Sequence, residues 1–181
     1  MPNYCNYKTK LKGEPSSIRE FIDIMKNNTD HEGPHMYRIF AAEVIDESEI
    51  DKGFAHIDGY CAWSVYSCMM EGEHTYYDKE KEESAELGKQ FNGTSLIKES
   101  KRLSLSIEIY SEEPGFGFEE HIYIINGDIV EYEVADMSEI SLGDFKSVKE
   151  LNEKLGLSIS KEYFEKEEYL KVGGFGEFVF N

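Results

Sequence analysis

Histidine, cysteine and carboxylate side chains are the groups in this 181-residue chain that could do chemistry, and their spacing decides which chemistry is open to them. His31-Glu32-Gly33-Pro34-His35 has the letters of the H-E-x-x-H zinc protease motif. That motif works only on a continuous helix, which aims both imidazoles at one metal and leaves the glutamate as general base. Gly33 and Pro34 break such a helix, because proline lacks the N–H donor and clashes with the preceding turn. The protease reading is therefore set aside. Cys61 and Cys68 lie seven residues apart; on one helix they would be ~10.5 Å apart along the axis, too far to share a zinc ion. If Cys61 precedes the helix, Cys5, Cys61, Cys68 and His74, with His56 also in reach, could form a structural zinc site. Three buried free thiols are the competing expectation.

The carboxylates are too numerous for any pair to be singled out as a catalytic dyad. Their distribution says more. The chain has 37 Asp and Glu against 19 Lys and Arg, a formal charge of −18. Residues 39–78 contain nine acids and only Lys52 as a base, and residues 103–145 contain eleven acids with no Lys or Arg, so the remainder is close to neutral. Such a balance excludes direct binding to nucleic acid or to an anionic membrane, since both reward basic patches. It suits either a solvated acidic face kept for solubility or a surface that meets a basic partner. The candidate partner-binding residues are Glu108, Glu112, Glu113, Glu119, Asp128, Glu131, Glu133 and Asp136. They would present negative charge at strand spacing to a groove that normally holds nucleic acid.

Local patterning shows which elements would position these groups. Residues 4–12 alternate, with Tyr7, Thr9 and Leu11 against Lys8, Lys10 and Lys12, which predicts a half-exposed strand. Ile18, Phe21, Ile22 and Met25 follow helical spacing, and Ser17 with Glu20 reads as a capping box. A strand is expected over 36–44 and a short one over 54–57, then a helix over 63–70, a charged loop or helix over 78–86, a helix over 95–102 and a strand from Leu105. Asn126-Gly127 between two patterned runs is a strong signal for a two-residue hairpin, because both positions favour positive φ. On its second strand Val130, Tyr132 and Val134 are expected to face the core, with Glu131 and Glu133 outward. Ser147 with Glu150 starts a helix that Gly156 ends. A helix over 161–169 and a closing strand over 177–180 complete the prediction. The fold class is α+β, one domain over 1–181, with a mainly antiparallel sheet and helices on one face. The opening Met1-Pro2-Asn3 shows no leader, no apolar run is long enough to span a membrane, and three cysteines suit a reducing cytoplasm.

Two segments carry a family likeness. Met1-Pro2-Asn3-Tyr4-Cys5-Asn6, running into a strand that ends at Gly13 before a helix, resembles the start of the YubB ferredoxin-like family of phages, plasmids and integrated elements. Glu112-Glu113-Pro114-Gly115-Phe116-Gly117-Phe118, followed by the Asn126-Gly127 hairpin, is similar to that family's turn. This chain has Tyr4 where the family usually has Trp, and Cys61-Ala62-Trp63 is a partial echo of its Trp-Cys segment. The resemblance implies a ferredoxin-like core and a mobile-element origin, and brings no catalytic residues. With the acidic blocks, it leads to the expectation of a non-enzymatic DNA mimic, such as an anti-CRISPR-like inhibitor of a CRISPR effector nuclease in a host cell. A zinc-stabilised protein-binding module, acidic only for solubility, is the alternative.

Overall fold

The structure, a computed structural model, describes residues 3–27, 34–36, 39–70, 93–176 and Phe180. The chain is α+β, dominated by a seven-stranded antiparallel sheet. In chain order the elements are β1 (Tyr4–Lys12), α1 (Pro15–Lys26), β2 (His35–Met36), β3 (Ile39–Val44), β4 (Phe54–Ala62), β5 (Gly93–Thr94), α2 (Leu96–Leu103), β6 (Ser106–Glu113), β7 (Phe118–Ile125), β8 (Asp128–Ser141), α3 (Val148–Leu155), α4 (Lys161–Lys166) and β9 (Tyr169–Gly173). The sheet runs β3-β4-β1-β6-β7-β8-β9, and β2 and β5 form a separate two-residue parallel bridge.

Strand alternation sorts side chains onto two faces. Cys5, Tyr7, Thr9 and Leu11 of β1 are buried on the face that α1 and α2 cover, while Lys8 and Lys12 are exposed on the other and Lys10 is half-buried there. Helix α1 contributes Ile18, Phe21, Ile22 and Met25 to this core, as their spacing predicts. Its start differs from expectation: Pro15 occupies the first turn, Glu14 is the N-cap, and Ser17 lies inside the helix. Proline is at home there because its missing N–H would have no partner in the helix anyway. Ser95 caps α2 by accepting from the Lys98 amide at 3.2 Å. At the other end, Ser100 donates to the Leu105 carbonyl and accepts from the Gly127 amide, tying α2 to the hairpin turn.

One glycine has a specific task. The Tyr7 ring crosses β4 over Gly59 so that its hydroxyl can donate to the Ala41 carbonyl of β3 at 2.7 Å. A Cβ at Gly59 would stand 2.4 Å from the Tyr7 hydroxyl oxygen, so no larger residue fits under the ring.

Three further local expectations are corrected. The strand expected over 36–44 is divided into β2 and β3, and the acidic connection after it forms a 3₁₀ turn over Glu47–Lys52. Within residues 63–70 the helical part is a π-turn over Tyr66–Met70. The helix expected over 161–169 ends at Lys166, and Tyr169–Gly173 pairs with β8 as β9, placing Leu170 in a second small core with Leu142 and Leu151. Residues 31–33 and 78–86, His74, and most of the closing strand expected over 177–180 lie outside the described residues.

Candidate functional site

Helices cover one face of the sheet, and the other presents polar side chains. On that open face β6, β7 and β8 bring Glu108, Tyr110, Glu112, Glu119, His121, Tyr123, Glu131 and Glu133 together through their register. The register depends on one residue. Asn126 and Gly127 have φ of 51° and 87°, as a type I′ turn requires. An uninterrupted ladder from this turn would set His121 opposite Tyr132 and Ile122 opposite Glu131. Instead β8 carries a bulge at Val130, so that Tyr123 meets Glu131, Ile122 meets Tyr132 and His121 meets Glu133. A one-residue slip exchanges the faces of a strand. The bulge thereby keeps two carboxylates away from Ile122 in the core and delivers them to His121.

His121 is buried, and its Nε2 lies 3.1 Å from Oε1 of Glu108, which is also buried. Its Nδ1 lies 3.8 Å from Oε1 of Glu131. One ligand atom from each of His121, Glu131 and Glu133 lies within 4.8 Å of the others, so these three residues form a group that could hold a metal ion. The sequence reading overlooked His121; its signal was a histidine five residues before the hairpin turn, readable only once the bulge is known.

Beside this group lies an ion-pair network. Glu112 and Glu119 face each other across β6 and β7, an arrangement of like charges that is unfavourable alone. Lys171 of β9 resolves it, pairing with Glu112 at 2.8 Å, with Glu119, and with the Tyr110 hydroxyl at 3.2 Å. Tyr110 donates to Glu119 at 2.6 Å, and the Phe175 amide donates to the same carboxylate. Burial alone would raise the Glu119 pKa, but these donors hold it below the usual carboxylate range. Burial and the Glu119 hydrogen bond push the Tyr110 hydroxyl up to about 12.

The eight nominated acids thus divide. Asp128, Glu133 and Asp136 are exposed, and Glu131 and Glu112 are half-exposed. Glu108, Glu113 and Glu119 are buried and turned to internal contacts, with Glu113 accepting from the Gly115 and Phe116 amides of the turn. Nor is the acidic stretch isolated from bases in space: Lys10 stands opposite Glu108, and Lys8 opposite Tyr110. Val130, Tyr132 and Val134, expected in the core, are exposed, although Tyr132 stacks on Tyr66 at 5.0 Å. The main core draws its helical side chains from α1, α2, the 3₁₀ turn and the π-turn and takes none of these three residues.

The three thiols converge. Cys5 pairs with Cys61 across β1 and β4, and the Cys61 thiol neighbours those of Cys5 and Cys68. Hydrogen bonding to these two thiols, together with burial, pushes the Cys61 pKa far above the usual thiol range, which keeps it protonated and unreactive. All three are buried, and none is in a disulfide. Among the described residues the metal-holding geometry belongs to His121, Glu131 and Glu133. No helix of the described residues is long and apolar enough to cross a membrane.

The chain matches no family model, no curated protein and no solved structure.

Proposed function

We propose that this chain is a non-enzymatic binding protein with a ferredoxin-like core, whose acidic strand β8 engages the basic groove of a nucleic-acid-handling protein. The order β3-β4-β1-β6, with α1 after β1 and α2 before β6, supports the core assignment, since it is the order a β-α-β-β-α-β unit adopts in one antiparallel sheet. β7, β8 and β9 extend that unit on the β6 side. The carrying observation is that β8 keeps Asp128, Glu133, Asp136 and Glu139 in solvent and Glu131 half-exposed, on a strand without Lys or Arg. Successive residues on one face of a strand repeat at ~6.8 Å, so Glu131, Glu133 and Glu139 are fixed in a row on the open face rather than scattered on flexible loops, while Asp136, opposite Phe118, points to the other face.

A row of fixed carboxylates matches a groove built for phosphates, and charges of this kind act mainly on association rate and specificity. The mobile-element resemblance makes a host CRISPR effector nuclease the concrete partner. The test is capture of such a nuclease by the purified chain over a range of salt concentrations. The double variant Asp128→Lys/Glu139→Lys, altered only at exposed positions of the open face, is expected to weaken capture about tenfold or more and to flatten its salt dependence. Capture that ignores both the variant and the salt would overturn the reading.

A further inference from the structure

We propose that His121, Glu131 and Glu133 form a binding site for a divalent transition-metal ion of the zinc class, with Glu108 as the residue that orients the histidine. The inference rests on a different observation from the partner-binding reading, with which it shares Glu131 and Glu133.

The first argument is the state of the imidazole. Glu108 and His121 are both more than nine-tenths buried, and a carboxylate 3.1 Å from Nε2 accepts the proton there. That fixes the tautomer with the proton on Nε2 and the lone pair on Nδ1. Carboxylate–histidine pairs of this kind commonly orient metal-binding imidazoles and raise their basicity. The second argument is spacing. Nδ1 stands 3.8 Å from the Glu131 carboxylate, beyond hydrogen-bond length. Two ligands at about 2.1 Å from one ion lie roughly 3.4 Å apart at the tetrahedral angle and ~4.2 Å apart when opposed, so the gap is what a shared ion would bridge.

The third argument is the choice of ligands and their support. One imidazole and two carboxylates suit Zn²⁺, while the nitrogen ligand disfavours Mg²⁺ and Ca²⁺, which prefer oxygen alone. All four residues sit on paired strands, which hold geometry better than loops. The Phe175 ring packs edge-on against His121 at 6.5 Å and shields that side, while exposed Glu133 gives an ion a path from solvent. Three protein ligands leave a fourth position for water.

The experiment is calorimetric titration of the full chain with ZnCl₂ in the presence of excess Mg²⁺, comparing wild type with Glu131→Gln/Glu133→Gln, Glu108→Gln and Cys61→Ser. One zinc per chain is expected. The double glutamine variant, changed only at solvent-reaching side chains, should lose about tenfold or more in affinity. Glu108→Gln should keep the stoichiometry and weaken binding about 10–100-fold, the usual effect of removing an orienting partner. Cys61→Ser should bind as wild type. Absence of binding, displacement by Mg²⁺, or loss in Cys61→Ser with retention in the double glutamine variant would each overturn the proposal; the last would move the metal to the thiols.

Discussion

Lys10 of β1 stands directly opposite Glu108 of β6, so the acidic stretch that has no base of its own in sequence lies beside a lysine row in space. Lys8 and Lys12 continue that row along the same face. The open face therefore alternates in sign, with Glu43 and Asp58 paired on β3 and β4, lysines on β1, and carboxylates on β6 to β8. Strand β8 lies three strands from the β1 lysines, with Lys171 of β9 opposite its Glu139, and exposed charges more than a Debye length apart, ~8 Å at physiological salt, act nearly independently.

Lys8→Gln removes an exposed cation from the face without touching β8, and is expected to tighten binding to a basic partner by a few-fold at low salt. The gain should vanish at high salt, as binding measured at the two ionic strengths would show. A weaker complex at low salt would place the contact on the lysine row instead.

Lys171 holds together charges that would otherwise repel. Lys171→Met leaves the fully buried Glu119 carboxylate without its cation, and breaking buried pairs costs about 3–5 kcal/mol. Because Lys171 itself is one-third exposed, about 2–3 kcal/mol is expected from urea unfolding. Adding Glu119→Gln to Lys171→Met should recover most of the loss, since the uncompensated charge is gone. Equal stability of the single variant and wild type would show that the network contributes nothing.

Tyr7 predicts a response to alkaline pH. Burial pushes its hydroxyl well above the usual tyrosine range, against an unfolded value of about 10. A pKa raised by folding contributes stability that is fully present below the unfolded pKa and is lost as pH rises toward the folded one. Unfolding free energy should thus fall steeply above about pH 10, and more gently in Tyr7→Phe, which should cost about 1 kcal/mol at neutral pH through the lost bond to Ala41. Gly59→Ala, which drives a Cβ into the same ring, should cost more than Tyr7→Phe.

The bulge offers a sharper test. Deleting Val130 leaves Ile129 opposite Ile124 and Glu131 opposite Tyr123, so every later pairing is already in register. The deletion variant is expected to fold, lose about 1 kcal/mol or less, and retain the His121–Glu133 juxtaposition, which NMR contacts across the strands would report. Deleting Ile129 as well should exchange the faces of the rest of the strand, bury carboxylates against Ile122 and destabilise the chain severely.

How much was legible in the sequence differs by element, for one reason. The face of β1, the buried spacing of α1, the Asn126-Gly127 turn and the Ser147 cap are local signals, each complete within a few residues, and the structure has them all. Sequence alone also determined that the charge is concentrated in two stretches. Which strands lie side by side, and in what register, is decided by packing between distant segments. Tertiary structure therefore settled that Lys10 meets Glu108, that Lys171 reaches Glu112 and Glu119, and that Glu108 and Glu119 are buried. It also decided, through one bulged valine, that His121 shares a face with two glutamates: strand periodicity names the two faces, but only pairing with a neighbour says which of them meets the core.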